Sequence, residues 1–122
     1  MNSSDTRPKT IFCDIDGTLV KHFPPTLTQL PDHKMQILDG TIDKINQWDR
    51  LGYNIILVTG RKECMRKVTE KQLSEVGIIY DQLIMGIGGG TRVLINDKKP
   101  HLDETALSFC LDRDRGIGDL EI

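Results

Sequence analysis

The sequence predicts an α/β fold, a three-layer sandwich of the Rossmann-like kind around a mostly parallel sheet, and three observations carry that expectation. Short apolar runs beginning at Thr10, at Tyr53–Val58, at Gln82–Met85 and at Arg92–Ile95 read as buried strands. Two amphipathic stretches, one opening at Asp39-Gly40-Thr41 and one over 61–76, read as the helices between them. Strand, helix, strand, helix implies parallel strands with crossovers, so the carboxyl ends of the strands fall on one face.

The first run, Thr10-Ile11-Phe12-Cys13-Asp14-Ile15-Asp16-Gly17-Thr18-Leu19, is the one around which the chain is organised. Ile11, Phe12 and Ile15 favour an extended backbone, and Gly17 is a natural point for the chain to leave it. Asp14 and Asp16 are two apart, so on a strand they face one side and repel unless something positive lies between them. A divalent cation suits that need. Hard oxygen ligands on a loop suit Mg²⁺, which shares its shell with water and phosphate oxygens.

The remaining elements follow in order. Residues 1–9 are polar and read as a disordered leader, and 10–122 as a single domain. Residues 20–39 contain Pro24, Pro25 and Pro31, which argues against a long regular element and for a flap overhanging the strand end. From Thr41, the residues Ile42, Ile45, Trp48 and Leu51 repeat at threes until Gly52, giving a helix with Trp48 on its core side. The second helix carries Met65, Val68, Leu73 and Val76 among charges and stops at Gly77, a C-cap residue. Gly86-Ile87-Gly88-Gly89-Gly90 lacks the Gly-Lys-Ser/Thr of a phosphate loop and precedes a strand, so it reads as a connector. Ala106–Leu111 fits either an edge strand or a short helix, and a charged tail runs from Asp112.

Composition narrows the function classes. Sixteen basic and eighteen acidic residues leave a net charge of −2, so no overall field favours nucleic acid or membrane. No apolar run approaches a membrane span and the start is polar, which points to the cytoplasm. Cys13, Cys64 and Cys110 have no metal spacing, and none is followed six residues later by arginine, which leaves carboxylate rather than cysteine chemistry. His22, His33 and His101 do not cluster and read as surface groups. Arg61, Lys62, Arg66, Lys67 and Lys71 read as a solvated helix face, and because the cluster begins at the site end, contact with an anionic substrate is the alternative reading.

In an open parallel sheet, ligands bind outside the carboxyl ends of the strands. Three such ends carry chemistry: Asp14 with Asp16, Thr59 with Gly60 and Arg61, and Asp97. Asp97 is placed to complete the cation site, while the Thr59 hydroxyl and Gly60 amide, opening a helix, are placed to hold phosphoryl oxygens. A plain helix N-cap is the competing reading of Thr59-Gly60-Arg61.

This order of motifs resembles the haloacid dehalogenase superfamily of phosphohydrolases: Asp-x-Asp-Gly-Thr after an apolar strand, an apolar strand ending in Thr with Gly after it, then a strand ending in Asp, over residues 10 to about 105. The resemblance implies a Mg²⁺-dependent phosphomonoester hydrolase in which Asp14 attacks phosphorus to give an aspartyl phosphate and Asp16 protonates the leaving oxygen, with Asp14, Asp16 and Asp97 around the metal. Two departures stand out. Asn96-Asp97 replaces the usual Gly-Asp or Asp-Asp, and the basic third motif has no clean match, leaving Arg61, Arg92, Lys98 and Lys99 as candidates. Arg61 is favoured as a phosphate ligand, because capless polynucleotide 3′-phosphatases of the superfamily show a Gly-Arg at the same place and a guanidinium offers forked donors. Such a 3′-phosphatase is the alternative substrate reading. A receiver-type phosphoacceptor domain and a silent scaffold are the alternatives of other classes.

Chain length predicts open access. Asp16 and Thr59 are 43 positions apart and Thr59 and Asp97 are 38 apart, and both intervals are filled by expected elements, leaving no room for a cap domain. The expectation is a capless enzyme, open to a phosphorylated small molecule, to a larger phosphorylated substrate, or to a partner subunit in a homo-oligomer that supplies the lid.

Overall fold

The computed structural model describes residues 6–101 and 104–122. Three strands, β1 (Thr10–Asp14), β2 (Asn54–Val58) and β3 (Gln82–Ile84), form a parallel sheet among these residues in the order β1-β2-β3. The register sets Asp14 beside Val58 and Val58 beside Ile84, so the carboxyl ends of all three strands lie level. β2 runs between the other two, and its Ile55, Ile56 and Leu57 are all buried, as a central parallel strand covered on both faces requires.

The connections are helical. α1 (Pro25–Thr28) is one turn with proline in its first position, where the missing N–H is of no consequence. α2 (Thr41–Arg50) follows Gly40, and α3 (Arg66–Glu75) follows a 3₁₀ turn over Glu63–Met65. Ile45 and Trp48 of α2 and Leu73 of α3 join Cys13, Ile15, Leu19, Ile55, Leu57 and Leu83 in one apolar core. Gly77, at a φ of 80°, ends the second connection as expected of a C-cap glycine. No helix among the described residues is long and apolar enough to cross a membrane.

Three expectations fail. Arg92–Ile95 is not a strand: Val93, Leu94 and Ile95 are 77%, 60% and 89% exposed, which excludes them from the core. β-propensity measures fit to a pleated, half-buried surface rather than an intrinsic preference, and after three glycines this run gains no such surface. Among the described residues β1 therefore has β2 as its one sheet neighbour, and Phe12 on its outer face is 53% exposed. Ala106–Leu111 forms neither a strand nor a helix.

The second helix, expected over 61–76, is the third failure: it begins at Arg66, after the 3₁₀ turn over Glu63–Met65. The charged tail is docked. Ile117 is 1% exposed, its N–H donates to the Asp39 carbonyl at 3.0 Å, and Asp114 N–H donates to the Gly17 carbonyl at 2.8 Å. Gly116, at a φ of 84°, lies so close to Asp39 that a Cβ there would run into the Asp39 backbone. The leader expected over 1–9 falls, for residues 1–5, outside the described residues, while Lys9 is tied in by its carbonyl to Asn54 N–H and by Nζ to the Tyr53 hydroxyl at 3.3 Å.

Candidate active site

The loop after β1 closes on itself. Gly17 adopts a φ of 88° and its N–H donates to the Val20 carbonyl at 2.7 Å, while Leu19 N–H returns to the Ile15 carbonyl at 2.9 Å. A residue with a Cβ would be strained at that φ, so the glycine of the motif is a backbone requirement. The loop is braced from α2 by the Thr41 hydroxyl, which donates to the Leu19 carbonyl at 2.6 Å. The docked tail braces it from the other side, with Asp114 on the Gly17 carbonyl and the Arg113 stem against Gly17.

Each acid of the motif is held by its own arginine. Asp14 Oδ1 accepts from Arg92 Nη1 at 3.2 Å and Oδ2 from the Thr18 hydroxyl at 3.3 Å. Asp16 is gripped by a fork: Arg61 Nε to Oδ2 and Nη2 to Oδ1, both at 2.9 Å. The remaining nitrogen, Nη1, donates to Gln72 Oε1 at 2.7 Å and Thr69 Oγ1 at 3.2 Å. The Arg61 side chain is only 6% exposed and that of Asp16 20%, so this is a buried ion pair, whereas Arg92 and Asp14 are 42% and 34% exposed. No buried side-chain nitrogen or oxygen among the described residues lacks a partner.

Arg61 thus stands differently from the phosphate ligand expected of it: its donors point at Asp16, Thr69 and Gln72. Arg92, one of the candidates for the third motif, is the one that reaches the carboxylate at the end of β1. Lys98 and Lys99 are exposed, with Lys99 bound to Asp97 at 2.7 Å. That bond holds the Asp97 carboxyl below the usual carboxylate range. Thr59 is 1% exposed and its hydroxyl accepts the Arg61 N–H at 3.1 Å, a local turn bond and not a helix N-cap, because the next helical turn opens only at Glu63. Gly60 is exposed beside it, and a Cβ at that position would lie 3.1 Å from the Ile87 carbonyl.

The three-carboxylate cation site does not assemble. Among the described residues no three acidic, histidine or cysteine side chains come together, and Asp97 lies in the exposed segment that fails to pair as a strand. Two guanidinium groups supply the positive charge that the Asp14–Asp16 pair requires. As arranged, these residues do not fit a metal held by Asp14, Asp16 and Asp97.

Sequence reasoning missed Thr69 and Gln72. The signal was available: Met65, Thr69, Gln72 and Val76 lie on one helical stripe, and two polar residues inside it mark buried hydrogen-bonding partners. It also missed the docked tail, whose Ile117 stands alone among charges and glycines. Cys13, behind the loop, is buried, and its thiol is pushed up to about 12 by burial and by the neighbouring Asp14 charge.

A parallel α/β sheet with an acid pair at the end of its first strand, and Thr-Gly-Arg at the end of the next, is the arrangement of haloacid dehalogenase-like proteins. Within that class, residues 11–105 match the family described as the LNS2 domain of PITM 1-3, and the chain belongs to that family. No curated protein matches it. Among solved structures, it is similar to a chain of the Pnkp1/Rnl/Hen1 complex, with 27% identity and a TM-score of 0.56 over 75% of this chain and 32% of that one. The likeness recurs in a structure of the Pnkp1/Rnl/Hen1 RNA repair complex, at 26% identity and the same TM-score, over 75% and 30%. The chain therefore spans about a third of the length of those relatives. A protein from Vibrio cholerae shares the fold at 18% identity and a TM-score of 0.52, over 76% of this chain and 83% of that one.

Proposed function

We propose that the chain is a phosphomonoester hydrolase working through an aspartyl phosphate on Asp14. The observation that carries the reading is the state of Asp14 itself: a part-exposed carboxylate at the carboxyl end of a parallel strand, oriented by Thr18 and paired with the Arg92 guanidinium. A carboxylate attacking a phosphate must overcome the repulsion of two anions, and a guanidinium beside both reduces it.

The reaction is written with the chain's own groups. Asp16 first takes up a proton from solvent, against the preference of the Arg61 fork for its charged form; an Asp14 oxygen then forms a bond to phosphorus as the ester P–O bond breaks, and the alcohol leaves with that proton. Water then attacks the aspartyl phosphate, Asp16 takes its proton, and inorganic phosphate and free Asp14 are restored. Arg61 fixes the plane of the Asp16 carboxylate, and the fork leaves a second lone pair on each oxygen for the proton in transit. Thr59 and Gly60, at the end of β2, are the proposed phosphate-facing groups, and Arg92 takes the role of the third-motif base. No step is assigned to Mg²⁺ or to Asp97.

The proposed enzyme is capless, with residues 20–39 as its partial cover. The substrate class follows from that openness: a phosphate on a bulky carrier is as accessible as one on a small molecule. The 26% likeness to a chain of an RNA repair complex favours a polynucleotide end as the second substrate reading. The test is a panel of aryl phosphates, sugar phosphates, nucleotides and 3′-phosphorylated oligonucleotides, each with and without Mg²⁺ and each repeated with Asp14→Asn. Turnover lost in the variant supports the reading. Equal turnover in both proteins, or none on any substrate, defeats it.

A further inference from the structure

Gln72 lies in α3 with its side chain 1% exposed, and all of its hydrogen-bonding groups are directed. Its Oε1 accepts from Arg61 Nη1 at 2.7 Å. Its Nε2 donates to the Thr28 carbonyl at 2.8 Å and reaches the Leu30 carbonyl at 3.5 Å. One end of a single amide therefore holds the guanidinium that grips Asp16, and the other holds the last residue of α1 and the turn that follows it. A buried amide is costly unless every group is bonded, and an apolar side chain of that size would fill the same space. What the amide adds is direction, since a planar group cannot reorient at one end and stay bonded at the other. The other ties between this segment and α3, from Lys71 Nζ to the Pro31 carbonyl at 3.2 Å and from Lys34 to Glu75, are exposed. Gln72 is the buried one.

We propose that Gln72 is a positioning residue: through Arg61 it fixes the Asp16 carboxylate, and through the Thr28 and Leu30 carbonyls it couples that carboxylate to the seating of the flap on α3. One amide carries both contacts, so its loss releases the flap and Asp16 together, whereas loss of its donor end alone releases only the flap. The part given to Asp16 rests on the phosphatase reading. The coupling of flap to Arg61 does not.

Two variants separate the two ends of the amide. Gln72→Met removes both bonds at nearly constant volume, and Gln72→Glu keeps the acceptor for Arg61 while losing the donor to the flap. Three signals are read: hydrogen exchange of the amides at 27–33, exchange of the Arg61 Nε–H proton by NMR, and the ratio of turnover on an alkyl phosphate to that on an aryl phosphate. In Gln72→Met the flap and Arg61 protons exchange at least about tenfold faster at unchanged protection elsewhere, and the alkyl-to-aryl ratio falls about tenfold, because only the alkyl leaving group depends on a well-placed acid. In Gln72→Glu the flap exchange rises while the Arg61 proton and the ratio stay as in wild type. Unchanged Arg61 exchange in Gln72→Met overturns the proposal, as does a rise shared by every amide of the domain. A Gln72→Glu that loses the ratio as fully as Gln72→Met also overturns it. If wild type hydrolyses no phosphomonoester, the phosphatase reading falls alone, and the two exchange signals still decide the coupling.

Discussion

Replacing Arg61 with alanine strips both oxygens of Asp16 of their donors and leaves Gln72 Oε1 without one. The arginine side chain is 6% exposed and the aspartate 20%, so water recovers only part of what is lost. Removing one partner of a buried ion pair costs about 3–5 kcal/mol, and the residual exposure of Asp16 sets the expectation at the lower end, about 3 kcal/mol. A domain of this size has about 5–15 kcal/mol in total, so the loss is large. Trp48 is the single tryptophan and is 3% exposed, which makes its fluorescence in a urea titration a direct assay of unfolding. The cause is checked in the same series. Asp16→Asn placed on Arg61→Ala removes the unpaired charge and recovers about 1–2 kcal/mol, so the two substitutions are not additive. Arg61→Lys keeps the charge without the fork and falls between wild type and alanine. A cost for Arg61→Ala below about 1 kcal/mol, the range of a surface pair, would refute the reasoning, as would strict additivity.

Arg92→Ala gives the opposite pattern: Arg92 and Asp14 are 42% and 34% exposed, so stability changes by no more than about 0.5 kcal/mol, while phosphate or vanadate binding, measured by inhibition, weakens at least about tenfold. Alkaline titration reports on Cys13. Burial and the Asp14 charge push its folded thiol up to about 12 from the ordinary 9.0, so the folded state keeps a proton that the unfolded chain gives up, and stability present below pH 9.0 is lost as pH rises towards about 12. Cys13→Ala flattens that fall in urea midpoints taken across the range. Gly116→Ala sets a Cβ into the Asp39 backbone and costs about 2 kcal/mol or more, whereas Gly77→Ala, at a similar φ but in open space, costs about 1 kcal/mol from backbone strain alone. Equal midpoints for the two glycine variants would mean that the docking of the tail contributes nothing.

The elements legible in the sequence were those whose pattern and partner agree. β2 is an unbroken apolar run that lies between two strands, α2 is bounded by Gly40 and Gly52, and α3 stops at Gly77, so local preference and packing point the same way. Arg92–Ile95 has the same local preference, but a strand exists only where an edge accepts it, and no residue within the run reports whether that pairing forms. Ile117 fails in the other direction, since its burial depends on a contact with Asp39 that is remote in sequence. At the site, the spacing of Asp14 and Asp16 revealed a charge problem that needs a positive partner. It did not reveal which partner. The cation was inferred from the carboxylates and the family resemblance, whereas Arg61, held by Thr69 and Gln72 of α3, and the exposed Arg92 lie against the pair, contacts that sequence separation hides. Thr69 and Gln72 were visible only as polar letters within an apolar stripe.

The central claim is that Asp14 forms a covalent bond to phosphorus, and trapping that bond tests it most directly. A turnover mixture with a hydrolysed phosphomonoester is quenched in acid, treated with borohydride to reduce any acyl phosphate, digested, and sequenced by mass spectrometry across residues 10–21. The account predicts reduction at Asp14 only, dependent on substrate and absent from Asp14→Asn. Turnover at the ordinary rate with Asp14 unmodified, or with the mark on another carboxylate, would contradict it.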